Sequence, residues 1–194
     1  MEDLFKLSRQ YMHFLDRPYK RRFLVTDPFK NQMTILLGQR GIGKSTLIVQ
    51  YLKSQIEKGG SEESILYFPA DHFIRGARAL YEIADQFNEL GGRIICFDEI
   101  HKYSNWSQEL KSIRDTFPRL KVIASGSSIL EVDKGSHDLS RRAIIRYLNG
   151  LSLREYIEIE TGHPFPVYTL NDILKNHESL ARNITSLLEE IDTS

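Results

Sequence analysis

Gly38-Gln39-Arg40-Gly41-Ile42-Gly43-Lys44-Ser45 decides the fold of this 194-residue chain. The stretch satisfies G-x-x-x-x-G-K-[ST], the spacing of a phosphate-binding P-loop. Glycines at the fixed positions let the backbone wrap an anion with its amide N–H groups turned inward, and the following helix adds the positive end of its dipole. The flanks agree with this reading. Residues 34–37 form a short apolar strand, and residues 44–58 carry Ile48, Leu52 and Ile56 on one helical face before Gly59-Gly60. Gly38, Gln39, Arg40, Gly41, Ile42, Gly43, Lys44, Ser45 and Thr46 are therefore expected to hold a nucleotide. Lys44 would bridge the β- and γ-phosphates, and the Ser45 hydroxyl would ligate Mg²⁺.

Outward from the loop, apolar strands alternate with amphipathic helices. Residues 65–68, 94–97, 122–124 and 143–148 read as further strands, and residues 3–16, 80–90, 105–117 and 152–159 as helices. Asn105 with Gln108, and Ser152 with Glu155, have the spacing of capping boxes, and Pro118 stops the helix before it. Residues 171–191 read as one long amphipathic helix whose stripe includes Ile173, Leu180, Ile184, Leu187 and Leu188. Strands that are apolar on both faces imply a parallel sheet covered on both sides. The expected fold is α/β, a doubly wound P-loop NTPase with a parallel sheet of about five strands, helices on both faces and a C-terminal helical segment. Residues 1–160 form the expected ATPase domain with its N-terminal helix. Residues 161–194 read as a helical extension toward a missing or short C-terminal domain.

The second half of the site follows from Ile94-Ile95-Cys96-Phe97-Asp98-Glu99. An apolar strand delivers Asp98 to its carboxyl tip, the edge where ligands bind in open α/β sheets. Asp98 is expected to join Ser45 at the metal by holding the Mg²⁺ shell through water, with Glu99 polarising the attacking water. Two adjacent carboxylates are costly to hold together without a cation nearby. Residues 121–128 (KVIASGSS) end the next strand in small polar residues, so Ser125 and Ser127, with Ser128 beside them, are candidate sensors of the γ-phosphate. Arg141 and Arg142 precede the fifth strand and are candidates to act on phosphate, within reach of the phosphate rim or of an adjoining subunit. Asp71 is the alternative to Glu99 at the water or metal shell. His101 reads as a hydrogen-bonding loop residue, and Trp106 as core.

Composition narrows the setting. Lys plus Arg equals Asp plus Glu at 26 each, so net charge gives nucleic-acid binding no support beyond the basic stretch at 17–22. Cys96 is the sole cysteine and lies in an apolar run, the pattern of a core thiol in a reducing compartment. The charged start MEDLFKLSRQYMHF does not read as a secretory signal, and no apolar run approaches a membrane span. These features set the expectation of a cytoplasmic protein without a membrane partner. No Asn/Thr-Lys-x-Asp tetrapeptide occurs, which disfavours guanine. The Asp98-Glu99 pair points to water as the nucleophile, which disfavours a small-molecule kinase.

With those motifs placed, DEIHKYSNWSQELKSIRDTFPRLKVIASGSSILEV…DLSRRAIIRYLNGLSLREYI resembles the prokaryotic AAA-type, archaeal-ATPase-like P-loop proteins of the additional-strand, catalytic-glutamate class. The likeness covers roughly residues 17–160. It implies an ATP hydrolase that converts ATP to ADP and phosphate to drive a conformational switch, with Glu99, Lys44 and Arg141 as its catalytic set. AAA-type proteins commonly complete the site with a neighbour's arginine, so the resemblance implies a homo-oligomer with Arg141 acting in trans. It also implies ATP and Mg²⁺ as ligands, a protein partner of unknown identity, and a chain that is either the N-terminal ATPase portion of such a protein or a short member. The alternative is a nucleotide-gated scaffold that binds ATP with little turnover and acts through a partner protein or DNA.

Overall fold

The computed structural model describes residues 1–26, 28–76, 78–127, 139 and 141–192. It divides into two units, Met1–Gly150 and Leu151–Ser194. The division falls before the expected boundary at 160, because the helix expected at 152–159 belongs with the C-terminal unit.

The first unit is built on β1 (Met33–Leu37), β2 (Ile65–Pro69), β3 (Ile94–Asp98), β4 (Lys121–Gly126) and β5 (Ile144–Tyr147). All pairs are parallel, in the order β2-β3-β4-β1-β5. β4 thus separates the loop-bearing β1 from β3, which carries Asp98, the inserted strand that the resemblance implied. Among the described residues this unit carries the helices α1 (Glu2–Phe14), α2 (Lys44–Glu57), α3 (Leu80–Glu89) and α4 (Trp106–Thr116).

Strand residues alternate between two cores, since successive side chains point to opposite faces. On one face Ile35, Phe68, Ile95, Phe97 and Val122 pack with Leu80, Ile83 and Phe87 of α3 and with Trp106, Leu110 and Ile113 of α4. On the other, Leu36, Tyr67, Cys96 and Ile123 pack with Leu47, Ile48 and Leu52 of α2. Burial pushes the Cys96 thiol well above its ordinary range, which keeps it a protonated core group.

The two sheet edges differ. α1 covers β2: it gives Leu4 and Leu7 to the first core and Met12 to the second, and its Ser8 Oγ accepts the Tyr67 N–H at 2.9 Å. A side chain thereby satisfies an edge-strand donor that would otherwise invite pairing. β5 is the open edge, with Ile144 and Tyr147 exposed.

The expected elements at 3–16, 34–37, 44–58, 65–68, 80–90, 94–97, 105–117, 122–124 and 143–148 all form, with ends shifted by a few residues. One cap does not. Asn105 makes no side-chain cap bond at the start of α4 because its backbone (φ −93°, ψ 11°) is not extended as a cap residue requires. Glu109 instead ties α4 to its surroundings, accepting from the Tyr81 N–H at 2.9 Å and from the Tyr103 phenol.

The basic stretch at 17–22 is largely engaged in local structure. The Arg21 guanidinium donates to Asn149 O and Gly150 O at 3.0 Å each, while Gln50 Nε2 fixes Arg17 O and Tyr19 O at 2.9 and 2.7 Å.

The second unit holds α5 (Leu153–Thr161) and α6 (Leu170–Asp192). Ser152 and Glu155 do form the expected capping box at α5: Glu155 N donates to Ser152 Oγ at 3.2 Å, and Ser152 N to Glu155 Oε2 at 2.9 Å. The single helix expected at 171–191 is interrupted, because Asn176 is non-helical (φ −134°, ψ 21°). Its stripe is not buried: Ile173 and Leu187 are exposed, and Leu180, Ile184 and Leu188 are half-buried.

Candidate functional site

Loop 38–45 leaves the carboxyl end of β1, between β4 and β5. Its first glycine is required by close approach. A Cβ on Gly38 would stand 2.7 Å from Leu148 O, where the chain after β5 is drawn in by a bond from Leu148 N to Leu37 O. Gly43 is required by conformation. It caps α2 at φ 93°, while a Cβ there would meet nothing within 4 Å, so the surface above the loop is open.

Lys44 turns back across the loop. It is only 4% exposed, and its Nζ donates to Gly38 O and Gln39 O at 3.0 Å each, using two of the ammonium's three donors. Burial lowers its pKa below the ordinary lysine value, and the charges of Glu99 and Asp98 oppose that shift. The loop thus holds a partly desolvated cation within the field of two carboxylates.

Asp98 is also 4% exposed and is surrounded by hydroxyls. Ser45 Oγ donates to its Oδ2 at 2.6 Å. The Tyr67 phenol donates to the same oxygen, and Ser125 Oγ to Oδ1. Burial first, then the Asp98 charge, push the Tyr67 phenol far above its usual range, so it remains a donor. The structure thereby joins the first turn of α2 to the tip of β3. An adjacent hydroxyl and carboxylate are hard oxygen donors of the kind Mg²⁺ takes alongside phosphate and water, so the residues fit that ion. No group of three or more His, Cys, Asp or Glu suited to a metal occurs among the described residues, and a site completed by phosphate oxygens requires none.

Glu99 follows with φ 53° and ψ 39°, the only non-glycine residue at positive φ among those described. Such a conformation costs about 1–2 kcal/mol and persists only where surrounding contacts hold it. Here the Glu99 N–H donates to Ser125 Oγ at 3.0 Å, so one hydroxyl fixes both acidic residues. The Glu99 carboxylate lies 3.5 Å from Ser127 Oγ, 3.6 Å from His101 Nε2 and 3.9 Å from Lys102 Nζ. His101 in turn contacts Ser127 through Nε2 at 2.8 Å and accepts the Ser127 N–H through Nδ1 at 3.3 Å.

Of the two sensor candidates, Ser125 is fully buried with its hydroxyl committed to the acidic pair, whereas Ser127 is half-buried and adjoins Glu99. Ser128 lies outside the described residues. Asp71 pairs with Lys102 at 2.6 Å, which raises the Lys102 pKa, and the same Lys102 Nζ lies 3.9 Å from the Glu99 carboxylate.

The expectation that Arg141 and Arg142 reach the phosphate rim of their own chain needs correction. β5 runs parallel to β1 with Tyr147 beside Leu37, so residues preceding Ile144 lie at the opposite end of the sheet from the loop. β5 alone separates the two ends by about 10 Å. At that far end the Arg142 guanidinium grips Asp115 of α4 through Nε–Oδ1 at 2.7 Å and an Nη–Oδ2 bond at 2.9 Å, pulling the Asp115 carboxyl below its ordinary range. Arg141 is exposed beside it.

Tyr67 was not legible as a site residue. In sequence it is one apolar-compatible position in a fully buried strand, and its role depends on β2 lying next to β3 in register, with Pro69 opposite Asp98.

Known proteins share the sequence pattern and the fold. The uncharacterised protein MJ1637 of Methanocaldococcus jannaschii is 31% identical over 176 residues, covering 83% of this chain. The chain spans only 36% of that relative's length. Two solved structures share the fold. The Walker-type ATPase PABY2304 of Pyrococcus abyssi matches with TM-score 0.51 and 16% identity, over 75% of this chain and 58% of that one. The Hsp104–ADP complex of S. cerevisiae matches with TM-score 0.53 and 17% identity, over 82% and 28%. No helix among the described residues is long and apolar enough to cross a membrane. Residues 30–157 match the model of an AAA domain, and with its P-loop, inserted fourth strand and Asp98-Glu99 tip the chain belongs to that AAA family of P-loop ATPase domains.

Proposed function

We propose that the chain binds Mg²⁺-ATP at loop 38–45 and hydrolyses it to ADP and phosphate, using the reaction to drive a conformational switch. The observation that carries this reading is the convergence of Lys44, Ser45 and Asp98, with Ser45 Oγ and Asp98 Oδ2 at 2.6 Å beside a lysine that is 4% exposed. Residues 38–46 cradle the phosphates. Lys44 directs its remaining donor toward the β- and γ-phosphates, and the Ser45 oxygen would offer a lone pair to Mg²⁺ while its O–H keeps donating to Asp98 Oδ2. Mg²⁺, when bound, neutralises charge on the phosphate oxygens.

Glu99 accepts the proton of a water that attacks the γ-phosphorus. The new P–O bond forms as the bond to the β–γ bridging oxygen breaks, and ADP leaves with that oxygen. Ser127 and His101 orient the Glu99 carboxylate, and Ser125 holds the backbone turn that presents it. Arg141 serves a neighbouring copy in a homo-oligomer, a role supported by its exposure at the end of the sheet away from its own loop.

Phosphate release by the purified chain with ATP and Mg²⁺, run beside calorimetric binding of a non-hydrolysable ATP analogue, tests the reading. Binding together with steady release supports it. Binding without release moves the chain to the scaffold alternative, and absence of binding rejects both.

A further inference from the structure

The Asp98 carboxylate raises a question of capacity. Two oxygens offer about four acceptor sites. Ser45, Tyr67 and Ser125 occupy three of them, so the geometry has room for about one more donor. Ser45 and Ser125 are small hydroxyls at the carboxyl rim. Tyr67 is different: it reaches Asp98 from the adjacent strand β2, lies 1% exposed in the core against α2, and packs with its ring tilted 31° to that of Tyr11 of α1, centroids 5.8 Å apart. Its backbone is fixed by Ser8 on one side and by β3 pairing on the other. A phenol locked in this way has one hydroxyl position, and that position is on Asp98.

We propose that Tyr67 is a positioning residue for the metal site: its phenol holds Asp98 Oδ2 in line with Ser45 and leaves the carboxylate one acceptor site for a Mg²⁺-bound water. This deepens the Mg²⁺-ATP reading above and rests on it. Without the phenol, Oδ2 keeps only the Ser45 bond, the carboxylate gains rotational freedom about its remaining contacts, and the water site loses its fixed direction. The consequence is confined to the metal. Nucleotide held by loop amides and Lys44 in the absence of Mg²⁺ does not involve Oδ2.

Tyr67→Phe isolates the phenol, since the ring and its packing stay. Calorimetric titration of ADP, once in EDTA and once in Mg²⁺, gives the Mg²⁺-dependent gain in affinity as a ratio. The expected result for Tyr67→Phe is an ADP affinity in EDTA within about twofold of wild type and a Mg²⁺-dependent gain reduced by about 5- to 30-fold. Ser8→Ala is the structural control. It unpairs the Tyr67 N–H and lowers the melting temperature, yet keeps the phenol, so its Mg²⁺-dependent gain should match wild type within about twofold.

An unchanged or larger gain in Tyr67→Phe overturns the proposal, as does an equal loss in Ser8→Ala, which would make the effect one of fold rather than position. A wild-type chain that binds ADP with no Mg²⁺-dependent gain overturns the Mg²⁺ reading itself, a result distinguishable from either.

Discussion

The two ends of the sheet treat charge in opposite ways. At the carboxyl ends of β1, β3 and β4, Lys44 and Asp98 are almost wholly buried, and Glu99 occupies a strained turn. At the amino end, Arg142 meets Asp115 in solvent, with the Asp115 side chain 50% exposed. The first arrangement is expensive: it desolvates a cation and a carboxylate and places a glutamate in the left-handed region. The second costs little and stabilises little. Buried charge that the fold could replace with apolar packing marks the end of the molecule where chemistry is expected, and exposed paired charge marks the end that is ordinary surface for its own chain.

The sharpest break of that contrast would be a large effect from the exposed end. If Arg141 completes a neighbour's site, Arg141→Ala should lower turnover by about 10³-fold while ATP binding persists. Mixing it with Lys44→Ala should restore part of the activity, and wild-type activity per chain should rise with concentration. A dead mixture together with flat activity across a hundredfold dilution would confine catalysis to one chain.

Next in size is Glu99→Gln. Removing the charge while keeping the shape should cut turnover by about 10²–10⁴-fold and leave ATP affinity nearly unchanged. Hydrolysis at the parent rate would transfer the base elsewhere, and the Asp71–Lys102 pair would then be the first place to look.

Lys44 should show both faces of a buried functional charge. Lys44→Ala should weaken ATP binding by about 10- to 150-fold, the worth of a charge-assisted phosphate contact. Lys44→Met, without nucleotide, should raise the melting temperature by about 2–6 °C, because an apolar chain of similar length removes the desolvation burden. That burden has a pH sign. With the folded-state pKa lowered, charged Lys44 opposes folding at neutral pH, and the penalty is relieved as pH rises through the folded value. A Lys44→Met protein that melts below wild type would show that the two carbonyl bonds outweigh desolvation.

The smallest effect belongs to Arg142→Ala. Its partner stands in solvent, so melting should move by no more than about 1–2 °C and ATP affinity should stay put. A loss of binding there would erase the distinction between the two ends.

The loop, its strand and helix, the Asp98-Glu99 tip and the alternation of elements were legible in the sequence, because each is written in local spacing. Four fixed loop positions, apolar runs of strand length and helical stripes need no knowledge of distant residues. It misjudged what depends on backbone conformation at one residue, the absent cap at Asn105 and the interruption at Asn176. Tertiary structure alone decided the rest. Which strand lies beside β3 makes Tyr67 a partner of Asp98, and the parallel register of β5 with β1 sends Arg141 and Arg142 to the far end of the sheet. Strand order and register join residues far apart in sequence, Tyr67 to Asp98 across 31 positions, through pairings whose partners are not encoded in either segment alone, so proximity in the site becomes legible only once the sheet is assembled.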